Sequence, residues 1–327
     1  MKVKRIAVTG AAGFIGSNLC EELLAKEYEV FGIDNLSMGN IRNLESCLRS
    51  ARFKFYKEDV CDPKAMVSVC AEAEVIVHLA AYKIPRYGKA TDTLLINNEG
   101  TKNILNAARE GRKKVVIAST SDVYGKNPQT PFNEESDLVI GPSTISRWSY
   151  AVSKLFDEHL AFAYQDAYDI PVTLLRFFGG YGPHQHLSWW GGPQSVFIGA
   201  VLRGRPMEIH GDGSQTRSFT YITDHVDGIV RVIESERSRG EIFNLGSTRE
   251  ISILELAMLI NRLIRGECEP ALKFIPYESF TGRKYEDVMR RVPDVSKARS
   301  ILGFECKVGL ADGLTTTINW QRAVEEL

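Results

Sequence analysis

The amino-terminal half of the chain alternates short apolar runs with longer stretches of helical spacing. The apolar runs fall at Arg5–Thr9, Val30–Ile33, Phe53–Tyr56, Val75–Ala80, Val115–Ala118 and Val172–Leu175. Between them, Phe14–Lys26, Pro63–Ala71, Asn97–Arg109 and Tyr150–Tyr168 read as helices. Strands that are apolar on both faces and separated by helices imply a parallel sheet covered on both sides. The pattern therefore predicts an α/β protein with a doubly wound parallel sheet over residues 1–176. Residues 177–327 are richer in Gly and Pro, with loops at Gly179–Pro193 and Gly211–Gln215. Helices are expected there at Gln194–Arg203, Asp224–Glu234, Ile253–Ile264 and Gly309–Val324, building a smaller α/β domain for substrate. Within 221–247, Ile242–Gly246 is expected to return to the main sheet as a strand.

Composition narrows the partners. The 327 residues are 44% hydrophobic and 25% charged, and 40 basic residues oppose 41 acidic ones. A balanced charge gives no global attraction to nucleic acid or anionic membrane, so an anionic substrate must be held by a few local Arg or Lys. The six cysteines are scattered and form no Cys-x-x-Cys pair. They read as reduced thiols in a cytoplasmic protein, with no metal site. The first residues enter a strand directly rather than a signal sequence, and no apolar run approaches the roughly 18 residues of a membrane span.

The first strand runs into Thr9-Gly10-Ala11-Ala12-Gly13-Phe14-Ile15-Gly16. Glycines at this spacing between strand and helix allow a tight turn and a close approach of backbone to a pyrophosphate at the helix N-terminus. The second strand ends at Asp34-Asn35. A carboxylate there can accept from the adenosine ribose hydroxyls and would repel a 2′-phosphate, which favours NAD over NADP. Asp59-Val60, after the third strand, is expected near the adenine. Tyr150-Ala151-Val152-Ser153-Lys154 places Tyr150 and Lys154 on one helix face. A lysine ammonium and the positive nicotinamide ring would lower the tyrosine pKa, fitting Tyr150 for general-base work. The strand Val115–Ala118 runs into Ser119-Thr120-Ser121-Asp122, where a hydroxyl can share the proton of a substrate alcohol.

With these residues in view, the chain resembles the extended short-chain dehydrogenase/reductases that rework nucleotide sugars on a Rossmann fold. Thr120, Tyr150 and Lys154 fall where that family keeps its Ser/Thr–Tyr–Lys triad. The resemblance implies that Leu79, Ala80, Ala81, Lys83 and Asn97 line the cofactor, the last two its nicotinamide half. It also implies that Gly211–Phe219 clamps the substrate diphosphate through Arg217, whose guanidinium can give two parallel hydrogen bonds. In the mechanism shared by the family, Tyr150 removes a sugar hydroxyl proton while NAD takes hydride from carbon 4. The resulting 4-keto sugar can be re-reduced on its other face, lose water across carbons 5 and 6, or lose a carbon-6 carboxylate as carbon dioxide.

Which outcome follows depends on residues after the triad threonine. The family's 4,6-dehydratases carry Asp-Glu there and UDP-glucuronate decarboxylases carry Ser-Glu, whereas this chain has Ser121-Asp122. Arg147-Trp148-Ser149-Tyr150 and Tyr285–Asp294 resemble segments of bacterial decarboxylases, with Arg291 matching an arginine that approaches substrate. Arg86 and Tyr87 are further candidates to meet a carboxylate. Phe178-Gly179 departs from the family pattern, which has Asn, a sugar-nucleotide contact, at the position of Gly179. His184–Gly192 is an unusual aromatic loop, either a lid over the sugar or dimer packing. UDP-glucuronate decarboxylation ranks first, 4-epimerisation of a UDP-hexose or hexuronate second and 4,6-dehydration third. A cofactor-consuming reductase and a non-catalytic NAD-binding protein are the readings from other classes. The family resemblance also implies a homodimer paired through the helices near Asn97 and Ser149.

Overall fold

The computed structural model describes residues 5–83, 89–277, 279 and 286–326. In the first half, strands β1 (Arg5–Thr9), β2 (Glu29–Ile33), β3 (Phe53–Tyr56), β4 (Val75–His78), β5 (Lys114–Thr120) and β6 (Val172–Phe177) alternate with helices. These helices are α1 (Phe14–Ala25), α2 (Pro63–Cys70), α3 (Ala90–Arg109) and α4 (Trp148–Tyr168). The second half contains β7 (Gly180–Tyr181), α5 (Pro193–Leu202), β8 (Met207–His210), β9 (Thr216–Ser218), β10 (Thr220–Tyr221) and α6 (Ile222–Glu234). After these come β11 (Glu241–Leu245), β12 (Glu250–Ser252), α7 (Ile253–Arg265), β13 (Leu272–Ile275) and β14 (Arg290–Arg291). Further helices span Ser296–Leu302 and Leu310–Val324.

Seven strands form one parallel sheet in the order β11-β6-β5-β4-β1-β2-β3. The strand expected at Ile242–Gly246 is β11, paired with β6 at the edge of this sheet. Alternate residues feed two cores, as the period of a strand requires. On one face Ile6, Val8, Val30 and Val77 pack with Leu19 and Leu23 of α1 and Ile229 of α6. On the other, Ala7, Phe31, Ile76 and Ile117 pack with Met66 of α2, Ile104 and Ala108 of α3, and Ala161 of α4. The order reverses between β1 and β4, and the crevice at the carboxyl ends of the strands opens there.

The structure differs from the sequence expectation mainly at edges. Helix α3 begins at Ala90, seven residues before Asn97, because Thr93 already packs inward. Strand β4 stops at His78: the Leu79 N–H still reaches the Thr9 carbonyl at 3.3 Å, but it and the Ala80 N–H also turn to the Thr9 hydroxyl at 3.2 Å, which ends the ladder. The short strands of the second half have too little alternation to announce themselves. They form three small sheets, β10-β7, β12-β9-β14 and β13-β8. The register of β14 on β9 sets Arg291 opposite Arg217. All six cysteines are free, and among the described residues no helix is long and apolar enough to cross a membrane.

Candidate active site

A cleft of about 1220 Å³ runs along the carboxyl ends of the strands and on beneath the second half of the chain. Its first end is built by the glycine turn. Gly10 has φ +70, and a Cβ on Gly16 would stand 2.1 Å from the Gly10 carbonyl oxygen. The turn therefore closes only without side chains at these places, and α1 presents its N-terminus to the cleft with Gly13, Phe14, Ile15 and Gly16 in the wall. Asp34 follows at the end of β2, where burial pushes its carboxyl up and the N–H groups of Leu36 (2.8 Å) and Ala12 (3.0 Å) pull it back. Asn35 donates to Asp59 at 2.9 Å, and both lie in the wall beside Val60. Leu79, Ala80, Ala81 and Lys83 continue it. These features fit a dinucleotide: a side-chain-free turn at a helix N-terminus for the pyrophosphate and a fixed carboxylate for the ribose.

The next stretch holds Thr120, Ser121, Asp122 and Tyr150 together in the wall. Strand β5 delivers Thr120, and α4 delivers Tyr150 two residues into its first turn. Thr120 hydrogen-bonds the Tyr150 phenol. Burial pushes that phenol well above its ordinary value, with Asp122 and Asp157 adding to the rise and Thr120 and Arg291 opposing it. Lys154 is 2% exposed and lies behind the wall, donating to Asp157 at 2.8 Å, so a carboxylate offsets its charge. Asn97 does not line the cleft wall. It is buried, accepts from the Tyr82 N–H (2.7 Å) and donates to Ser153 (3.0 Å), tying the chain after β4 to α4.

The far end of the cleft is cationic. Arg291 pairs with Asp122, and Arg147 lies 3.8 Å from the same carboxylate. Arg217 pairs with Asp287 at 2.9 Å and donates to the Val288 carbonyl, while Arg147 reaches Asp287 at 3.3 Å. Burial first, and then the neighbouring Arg291 and Arg147, pull the Arg217 guanidinium down to about 10 against the opposing pull of Asp287. Gly179 has φ +35, and a Cβ there would stand 2.0 Å from the Ser218 carbonyl oxygen, so no asparagine fits at this position. Phe178 is chiefly a packing residue, buried against Tyr124 and Phe132 beneath the cleft. The aromatic loop lines the cleft: Trp189 stacks on His210 at 4.3 Å, and Trp190 meets Tyr82 edge-on at 5.6 Å. His184 bonds Ser17 and His186 bonds Ser188, so the two histidines serve different partners. Arg86, Tyr87 and Tyr285 lie outside the described residues.

Two residues escaped the sequence reading. In the sequence Arg147 reads only as part of the lead-in to Tyr150, yet it joins both acidic partners of the cationic end. Asp157 belongs to no motif, and its signal is spacing alone: a carboxylate three residues after Lys154 on a helix shares its face. A buried pair, Arg176 and Glu158, holds β5, β6 and α4 in place, with Ser119 donating to Glu158 beside the triad threonine.

The fold and cleft define an extended dinucleotide-binding α/β enzyme with a Thr–Tyr–Lys set. Residues 7–317 match the model of the GDP-mannose 4,6 dehydratase family, and the chain belongs to that family. It is 36% identical over 324 residues to a UDP-N-acetyl-alpha-D-glucosaminuronate decarboxylase of Bacillus cytotoxicus, covering 98% of this chain and 99% of that one. It is 35% identical over 321 residues to UDP-glucuronic acid decarboxylase 1 of Xenopus tropicalis, covering 98% and 72%. The structure is similar to that of UDP-glucuronic acid 4-epimerase from Bacillus cereus in complex with UDP-glucuronic acid and NAD, with TM-score 0.87, 31% identity and coverage of 98% and 99%.

Proposed function

We propose that this chain is an NAD-dependent decarboxylase of a UDP-hexuronate, acting through oxidation at sugar carbon 4. One observation carries the reading: Arg147 and Arg291 gather around Asp122 beside Thr120 and Tyr150, with Arg217 in the same field. A nucleotide diphosphate accounts for Arg217, and a second anionic group on the sugar accounts for the other two guanidiniums. The names of the relatives support both uridine and a hexuronate.

The glycine turn, Asp34, Asp59 and the Leu79–Lys83 wall would hold the cofactor. When bound, NAD supplies the hydride acceptor, and later the donor, at carbon 4. Tyr150 accepts the proton of the 4-hydroxyl, and Thr120 steadies the oxygen through its own hydroxyl. The carbon-4 ketone so formed is β to the carbon-6 carboxylate. The bond between carbons 5 and 6 then breaks, carbon dioxide leaves, and the electron pair passes to the carbon-4 oxygen held by Tyr150 and Thr120. A proton is delivered to carbon 5 in the region bordered by Asp122 and Arg291.

Calorimetry with UDP-glucuronate and UDP-glucose tests the carboxylate assignment. Arg291→Gln is expected to weaken UDP-glucuronate about tenfold or more, since a charged hydrogen bond contributes about 1.5–3 kcal/mol, and to leave UDP-glucose nearly unchanged. Equal losses for both sugars would refute it.

A homodimer through α3 and α4 is part of this reading. Leu95, Val152 and Phe156 stand 70%, 42% and 49% exposed on those two helices, and light scattering that returned a monomer would refute it. The six free cysteines support a cytoplasmic setting.

A further inference from the structure

Lys154 sits in a closed compartment behind the cleft wall. Its ammonium donates to Asp157 Oδ2 at 2.8 Å, and the two side chains are 2% and 1% exposed. Tyr150, Lys154 and Asp157 occupy positions i, i+4 and i+7 of α4, one stripe of one helix. The groups facing this stripe come from four directions. From α3, Thr101 faces Asp157. From the end of β4 comes His78, whose ring is held by the Thr9 hydroxyl at 2.8 Å; burial and then Lys154 push it down to about 3, so it stays neutral. On α4 itself Glu158 adjoins Asp157, but its charge is already met by Arg176 at 2.7 Å. After β5, Asp122 faces Tyr150 from the cleft side and is paired with Arg291. Asp157 is thus the carboxylate that answers Lys154 directly.

We propose that Asp157 is a positioning residue for the reaction: it holds Lys154 in a buried ion pair and thereby limits how much of the ammonium's positive charge reaches Tyr150. This rests on the reading of Tyr150 as the proton acceptor. A cation and an anion act on the phenol with opposite signs, so the charge of Asp157 beside Lys154 moves the pH at which Tyr150 becomes competent. Burial and Asp122 lead the upward push on the phenol, and Asp157 contributes in the same direction.

The test compares pH profiles of kcat/KM for the wild type, Asp157→Asn and Asp157→Glu, each saturated with NAD. Asparagine keeps the shape and a hydrogen-bond acceptor but removes the charge. The acid limb of Asp157→Asn is expected to move to lower pH by about one unit. Asp157 stands two helical turns, roughly 10 Å, from Tyr150, and at an effective dielectric of about 20 a unit charge at that range shifts a pKa by about one unit. On the limb itself this is about a tenfold gain in kcat/KM. Asp157→Glu restores the wild-type limb. A second readout does not need turnover: with NAD bound and no substrate, the ultraviolet absorbance change of phenolate formation, with Tyr150→Phe as the subtraction, is expected to move by the same amount. An Asp157→Asn limb that is unmoved or moves upward, or an unmoved phenolate titration, overturns the proposal. If Tyr150→Phe itself keeps wild-type turnover, the failure belongs to the parent reading of Tyr150 instead.

Discussion

Replacing Arg176 with methionine tests how the scaffold fixes the reactive strand end. Arg176 is 3% exposed and lies on β6. Its Nε and Nη2 donate to Glu158 at 3.0 and 2.7 Å, and its Nη1 donates to the Tyr124 hydroxyl at 3.0 Å and the Glu134 carbonyl at 3.1 Å. Glu158 in turn accepts from Ser119, the neighbour of Thr120. Methionine fills much of the volume but leaves Glu158 buried without its cation, which costs about 3–5 kcal/mol. Removing both charges with Arg176→Met and Glu158→Leu spares the unpaired carboxylate, so the double variant is expected to regain most of that loss. Urea denaturation followed by fluorescence and circular dichroism measures both, provided the two probes coincide. The single variant should also lose activity beyond its loss of folded protein, because Glu158, which holds Ser119 beside the triad threonine, loses its anchor. A single-variant cost below about 1 kcal/mol, or a double variant less stable than the single, would refute the reasoning.

Other consequences are as direct. Tyr150→Phe should lower kcat by about 10²–10⁴-fold while NAD affinity, measured by fluorescence titration, stays close to wild type. Asp34→Ala should weaken NAD and narrow its advantage over NADP, and it should destabilise the turn by about 1–3 kcal/mol as the Ala12 and Leu36 N–H groups lose their acceptor; unchanged selectivity would contradict the ribose assignment. His78 is buried and neutral, its pKa held down to about 3 from 6.5. In this window the unfolded chain binds the extra proton, so His78 adds stability above pH 6.5 that is lost as the pH falls toward 3. His78→Asn should show a flatter stability curve between those values in denaturation series, and a curve parallel to wild type would contradict the assignment.

Much of this was legible in the sequence because local and global demands agree. Gly10 and Gly16 are required by one tight turn, and the strand before and helix after them are strongly patterned. Tyr150 and Lys154 announce themselves through helical spacing. What stayed hidden depends on distant packing. The pairing of Arg291 with Asp122 joins residues 169 positions apart, and no local pattern carries it. It arises because β14 adds to β9, a contact between strands of two and three residues. The start of α3 stays hidden because Thr91-Asp92-Thr93 is polar and Leu94-Leu95-Ile96 is an unbroken apolar run, so neither shows the three-and-four spacing that marks a helix. Gly179 read as a departure from a family pattern, and its cause is steric: the Ser218 carbonyl fills the space a side chain would need.

The central claim is tested most directly by incubating the purified protein with NAD and, separately, UDP-glucuronate and UDP-N-acetylglucosaminuronate, with mass spectrometry and proton NMR of the products. Loss of carbon dioxide from at least one of them, giving the corresponding UDP-pentose without net NADH, is the predicted result. A product of unchanged mass with inverted configuration at carbon 4 would make the protein an epimerase and contradict the decarboxylase account.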